Sequence, residues 1–141
     1  MTQRLFVAGV PPREVREAWE RFVEPRREAA PELRWVLPES WHITCAFMGR
    51  VAEDAVDGFD EALNAVAART RPFAVTVAGA GAFPHPDAAK VLWLGVSQGS
   101  TELGELATRC HHAASSSGIE VDGRRLISHT VQASNGSHWH P

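Results

Sequence analysis

The feature that most constrains this chain is an order: three amphipathic helical stripes, each followed by strand-forming sequence. The first stripe opens at about Pro12, a residue type favoured in a first helical turn, and carries Val15, Trp19, Phe22 and Val23 at the helical period. Pro25 and Pro31 leave its end open. The second runs from Ala52 to Thr70 with Val56, Phe59, Leu63 and Val66 on one face. Glu53, Asp54, Asp57 and Glu61 load its N-terminal half with the charge that the helix dipole favours. The third, Ser100 to Ser117, keeps Leu103, Leu106, Cys110 and Ala113 in register.

Strand signals fill the intervals. Arg4 to Val10 reads as a buried strand ended by Pro11 and Pro12. Leu33 to Val36 is a short strand with Pro38 in the turn after it, and "HITCAFMG" is the next, stopped by Gly49. Pro72 to Phe83 begins as an alternating strand, with Phe73, Val75 and Val77 on one face and small residues that permit a bend. After a turn at "HPDAA", Lys90 to Val96 is continuously apolar and belongs in the middle of a sheet. "IEVDGRRL" reads as a strand and turn, or as two arms of a hairpin, around Asp122 and Gly123. This order predicts an α+β fold with two sheet-and-helix layers sharing one cleft. The 141 residues suit a single domain of that kind.

A polar pair stands out in "WHITCAFMG". Residues two apart on a strand share a face, so His42 and Thr44 look one way while Ile43, Cys45 and Phe47 look toward a core. A second pair, His129 and Thr130, follows in "ISHTVQA". Two histidines at one cleft suit paired acid–base chemistry, because an imidazole of unperturbed pKa about 6.5 exists in both forms near neutrality. A hydroxyl beside each holds phosphate oxygens without adding negative charge. That combination requires no metal and no cofactor.

Net charge is −3 and the pI about 6.1, which argues against the broad basic face that duplex DNA binding needs. A pocket for one nucleotide or one RNA end remains compatible. Cys45 and Cys110 lack C-x-x-C spacing and read as reduced, buried or half-buried thiols of a cytoplasmic protein. No apolar run approaches the length of a membrane span, and no secretion signal opens the chain. His111 and His112 read as surface or half-buried helix residues, His85 as a turn residue, and His138 and His140 as part of a mobile tail. Trp35, Trp41 and Trp93 read as core.

Four stretches, "RLFVAGVPP", "LRWVLPESWHITCAFMGRV", "PFAVTVAGAGAFPHPDAAKVLWLGV" and "DGRRLISHT", carry a resemblance over residues 4–130. The chain resembles the two-histidine (2H) phosphoesterase superfamily, specifically the RNA 2′,3′-cyclic phosphodiesterase / 2′-5′ RNA ligase family. The resemblance implies a bilobal, pseudo-twofold fold, with two antiparallel sheets and packed helices around a central cleft and one H-x-T/S motif per lobe. It implies hydrolysis of a 2′,3′-cyclic phosphate to a 2′-phosphate, with reversible 2′-5′ RNA ligation at the same site. It assigns His42 and His129 as the catalytic pair, with His42 as acid and His129 as base. Thr44 and Thr130 become phosphate-binding hydroxyls.

His42 and Thr44 match the first motif. The second departs from the family's P-H-x-T-L-x-R: Ser128 stands for the proline, no residue separates His129 from Thr130, and the later basic residue is absent. On a regular strand Thr130 faces away from His129 unless a bulge intervenes. Arg124 and Arg125, just ahead of this motif, are candidate phosphate contacts. From Leu126 to Pro141 there is no acidic or basic residue other than histidine. The expectation is therefore one two-lobed domain over 1–131, a flexible tail over 132–141, and a second lobe incomplete at its C-terminus. Two other readings stay open: a catalytically impaired nucleotide or RNA-end binding module, and self-association of a monomer through an exposed sheet edge.

Overall fold

The acid-rich stretch after Ala52 forms the helix its pattern predicts, Glu53–Arg69, within one residue of the expected limits at each end. In a computed structural model of the chain, residues 1–83, 91–121 and 129–134 are described, with the backbone alone for 81–83, 91 and 129–134. The elements in order are β1 (Thr2–Gly9), α1 (Arg13–Ala29), β2 (Arg34–Trp35), a 3-10 turn (Pro38–Ser40), β3 (Ile43–Ala52), α2 (Glu53–Arg69), β4 (Thr76–Phe83), β5 (Val91–Gln98), α3 (Ser100–Ser116) and β6 (His129–Ser134). They form two small sheets and the three expected helices, an α+β architecture. The chain divides into two compact units, one of Met1–Ala8, Thr44–Thr76 and Gln98–Ser128, the other of Gly9–Ile43, Val77–Ser97 and His129–Pro141.

In the first unit β1 pairs with β3, and α2 packs against α3. Met48, Val51, Phe59, Ala113, Ala114 and Ile119 form the core, with Leu5 and Val7 of β1 packed against it. The predicted stripe of α2 does face this core: Phe59 is buried, and Val56, Leu63 and Val66 lie against it. Phe6, between Leu5 and Val7, faces away from the core by strand alternation and is 46% exposed. Its ring lies 6.2 Å from that of Phe47 on β3.

Strict alternation fails on β3. Ile43 and Cys45 are buried as expected, but Ala46 and Met48 are buried too, whereas Phe47 is only half-buried. Cys45 and Ala46 are consecutive and belong to one buried cluster with Cys110 of α3. The phase of the strand therefore shifts by one residue there, and Met48 replaces Phe47 as the core residue. Gly49 does not stop the strand, which runs on to Ala52. Among the described residues of the predicted "IEVDGRRL" strand, Val121 forms an antiparallel bridge to Met48; residues 122–128, with the Asp122–Gly123 turn, lie outside the described residues.

β4 begins at Thr76, four residues later than expected. Pro72 has no N–H to give a ladder, and the backbone of Ala74 and Val75 instead lies against Gly99 at the head of α3. A Cβ on Gly99 would sit 2.5 Å from the Ala74 carbonyl oxygen, and its φ is +90°, so only glycine fits this position.

In the second unit the sheet order is β2-β6-β5-β4. β6 is antiparallel to both neighbours, with Trp35 opposite Ala133 and Gly95 opposite His129. Its backbone is paired as far as Ser134, and residues 135–141 lie outside the described residues. Helix α1 passes through Pro25, which local rules would make a break. Beside the gap in the ladder, Arg26 Nη1 donates to the Phe22 carbonyl at 2.6 Å, and the guanidinium lies 3.6 Å over the Phe22 ring. The helix ends at Ala29, where the Ala30 N–H closes on the Arg26 and Arg27 carbonyls. Of the three tryptophans expected in the core, Trp41 is 1% exposed, and Trp35 and Trp93 are half-buried.

Cys45 and Cys110 are both free and buried. Burial first, and the neighbouring Cys45 second, push the Cys110 thiol from 9.0 up to about 11. A folded-state value above the unfolded one means that folding favours the protonated thiol. Its stabilisation is complete below about pH 9 and is lost as pH rises toward 11, by on the order of 1–2 kcal/mol. The chain has no tyrosine and one lysine, so few other side chains titrate in this window. Urea midpoints are expected to fall between pH 8.5 and 10.5, and Cys110→Ser to flatten that fall. An equal fall in the variant would place the titration elsewhere.

Candidate active site

Trp41 anchors the approach to the first motif. Its ring is buried, its Nε1 donates to the Val36 carbonyl at 3.2 Å, and it lies 6.1 Å from the Trp19 ring of α1. The 3-10 turn over Pro38–Ser40 closes just ahead of it, with Ser40 N–H on the Leu37 carbonyl at 2.8 Å and Trp41 N–H on the Pro38 carbonyl at 3.2 Å. Proline in the first turn suits this short helix, because its missing N–H has no partner to lose.

His42 follows, half-buried, one residue before β3. Its Nδ1 lies 2.7 Å from the Ser40 carbonyl oxygen. A carbonyl can only accept, so Nδ1 carries a hydrogen and donates it. This bond holds the ring plane and leaves Nε2 as the nitrogen that takes up or gives a proton. The same logic orients metal-bound and catalytic imidazoles generally: the bond made by one ring nitrogen decides the role of the other. Among the described residues no group of three histidine, cysteine or carboxylate side chains is placed to hold a metal ion.

Thr44, the second residue of β3, is half-buried between Ile43 at 9% exposure and Cys45 at 4%. The Cys45 side chain packs in the cluster with Cys110, on the helix side of its sheet. Thr44, one residue earlier, therefore takes the opposite face.

His129 and Thr130 open β6, at the register positions of Gly95 and Leu94. A register shift does occur on this strand, between Leu92 and Trp93 of its partner, where Ala133 and Val131 are the opposed residues. The extra residue is thus Gln132, downstream of the motif. His129 and Thr130 remain at successive positions of the ladder. Arg124 and Arg125 lie outside the described residues.

The residue that sequence reasoning missed is Ser40, whose carbonyl orients His42. Its signal was a proline-initiated turn ending two residues before a histidine, a pattern that carries weight only once that histidine is suspected.

Residues 10–93 match the family described as LigT like Phosphoesterase. An RNA 2′,3′-cyclic phosphodiesterase of Geobacillus stearothermophilus is 34% identical over 128 residues, which cover 91% of this chain and 40% of that protein. One of Archaeoglobus fulgidus is 32% identical, over 84% of this chain and 65% of its own length. The chain thus spans less than two thirds of either relative. The crystal structure of Escherichia coli LigT in apo form superposes with a TM-score of 0.73 at 28% identity, over 98% of this chain and 75% of that one. The same protein complexed with 3′-AMP superposes with a TM-score of 0.71. A family match over more than half the residues, carried by a chain with an ordered H-x-T segment, gives one conclusion: the chain belongs to the LigT-like phosphoesterase family.

Proposed function

We propose that this chain hydrolyses RNA 2′,3′-cyclic phosphates, or small nucleotides bearing them, to 2′-phosphates. The observation that carries the reading is His42 of the H-x-T segment, its ring oriented by the Nδ1–H donated to the Ser40 carbonyl at 2.7 Å. The names of the relatives support the substrate class, and complexes of Escherichia coli LigT with 3′-AMP, ATP and NADP+ support a nucleotide.

In the proposed step a water oxygen attacks phosphorus and the bond from phosphorus to the ribose 3′ oxygen breaks. His129 takes the water's proton as base. His42, protonated on Nε2, gives its proton to the departing 3′ oxygen. The products are a 2′-phosphate and a 3′-hydroxyl, so atoms and charge balance without a metal ion. Thr44 hydrogen-bonds a phosphate oxygen as negative charge builds. Thr130, Arg124 and Arg125 complete the proposed phosphate-binding set, and ligation is the same attack on phosphorus with an RNA 5′-hydroxyl in place of water.

The test is incubation of the chain with adenosine 2′,3′-cyclic phosphate in the presence of a chelator, with phosphorus NMR as readout. Conversion to the 2′-monophosphate supports the reading. Binding without turnover would replace it by the binding-module alternative.

A further inference from the structure

We propose that Arg69, Arg71 and Arg109 hold a backbone phosphate of the RNA strand that precedes the cyclic end, an inference that rests on the cyclic phosphodiesterase reading. The three arginines line one recess of about 320 Å³, together with Thr70, Glu102 and Glu105, where the end of α2 meets the first half of α3. All six residues belong to the first unit, as does Thr44. Packing sets them at one end of it. Phe59 of α2 and Ala113 of α3 pack with Met48 and Val51, whereas Leu63, Leu106 and Cys110 pack with Cys45 and Ala46. Following β3 back toward Thr44 therefore follows α2 forward and α3 backward. The end of α2 and the start of α3 come out where β3 begins, on the helix side of its sheet.

Local duties do not account for the cluster. Arg69 stands in the last turn of α2, where a cation suits the helix dipole. Arg71 lies beyond that helix, and Arg109 is in the body of α3, one turn after Glu105. That spacing suits a Glu–Arg pair, yet among the described residues no carboxylate lies within 4.0 Å of any of the three guanidiniums. Arg109 Nη1 instead makes a long hydrogen bond to Thr70 Oγ1, 3.5 Å away, and that hydroxyl donates to the Val66 carbonyl at 2.7 Å. Thr70 thus draws Arg109 toward the turn that carries Arg69 and Arg71. A phosphodiester offers oxygen acceptors to several guanidiniums at once. Glu102 and Glu105 decide between anionic partners. An acidic peptide meets only repulsion from them, whereas an RNA strand can donate its 2′-hydroxyls and base amino groups to these carboxylates.

The experiment compares wild type with the double variant Arg71→Ala, Arg109→Ala on two substrates, each over a range of salt concentrations: adenosine 2′,3′-cyclic phosphate and a short oligoadenylate ending in a 2′,3′-cyclic phosphate. Arg69 is left in place because it also serves the helix end. The double variant is expected to raise KM for the oligomer about 10-fold, near the worth of one hydrogen bond to a charged group, with kcat unchanged because such binding is shared by ground and transition states. The slope of log KM against log salt should flatten by about 0.7, the share of one phosphate on a single strand. The adenosine substrate should respond in neither respect, which also shows that the variant is folded. An equal rise in KM on both substrates, or an oligomer KM and salt slope left unchanged, overturns the inference while leaving the hydrolase reading intact. If wild type turns over neither substrate, the hydrolase reading fails, and fluorescence anisotropy with the oligomer ending in a 2′-phosphate decides. Weaker and less salt-dependent binding by the double variant then sustains the phosphate site, and equal or absent binding removes it.

Discussion

Replacing His42 with alanine is expected to lower turnover of adenosine 2′,3′-cyclic phosphate by at least about 100-fold, the usual worth of a positioned acid or base. The physical case is local. A half-buried imidazole is fixed at Nδ1 by a carbonyl two residues away, which assigns proton transfer to Nε2. The loss should fall on kcat, because the proton is transferred only as the bond to the 3′ oxygen breaks. The fold should survive. The segment is held by the buried Trp41 ring and by the turn over Pro38–Ser40, and neither contact uses the imidazole. Near-ultraviolet dichroism of the tryptophans and the urea midpoint check this in the variant. His42→Gln sharpens the test: its amide can still donate to a carbonyl but carries no titratable proton. Recovery of activity in His42→Gln would mean that His42 only supports the turn, and the proposed acid would then have to be another group.

Much of this architecture was legible because its signals are local. The stripe of α2 and the acidic residues at its start act within the helix itself, so its limits were readable to within one residue. The spacing of His42 and Thr44 is a local signal too, although β3 begins only at Ile43 and His42 precedes it. What was not legible depends mostly on partners far away in sequence. Pro25 and Pro31 leave the end of α1 open in the sequence, and the helix continues through Pro25 to Ala29 beside a local contact, the Arg26 guanidinium on the Phe22 carbonyl and ring four residues back. Phe47 reads as core by alternation, yet β3 changes phase where Cys45 and Ala46 meet Cys110, a residue of α3. That shift takes Phe47 out of the core and leaves its ring 6.2 Å from that of Phe6. On β6 a bulge was conceivable but not demanded; it exists, at Gln132, where it does not change the relation of His129 to Thr130.

That relation shapes the second large effect. His129→Ala is expected to cost at least about 100-fold in kcat, as the loss of the proposed base. The motif around it is irregular, but its strand is not marginal: β6 is an interior strand, bonded to β5 from His129 onward and to β2 at Ala133 and Ser134. A residue on a strand paired along both edges is held more precisely than one on a loop. The pH profile separates the two roles. With both histidines present, kcat should be bell-shaped, falling in acid as the base protonates and in alkali as the acid loses its proton. His129→Ala should remove the acid limb from the residual activity, and His42→Ala the alkaline limb; the opposite pattern would exchange the two assignments. The hydroxyls should differ too. Thr44→Ala is expected to cost about 10-fold, near the worth of one hydrogen bond to a charged group. Thr130→Ala should cost less, because successive ladder positions alternate in face and Thr130 directly follows His129. If wild type turns over and His129→Ala is unchanged, the paired-histidine mechanism is wrong as placed. If wild type binds 2′-AMP without turnover and His42→Ala weakens that binding, the chain is a nucleotide-binding member of its family rather than a hydrolase.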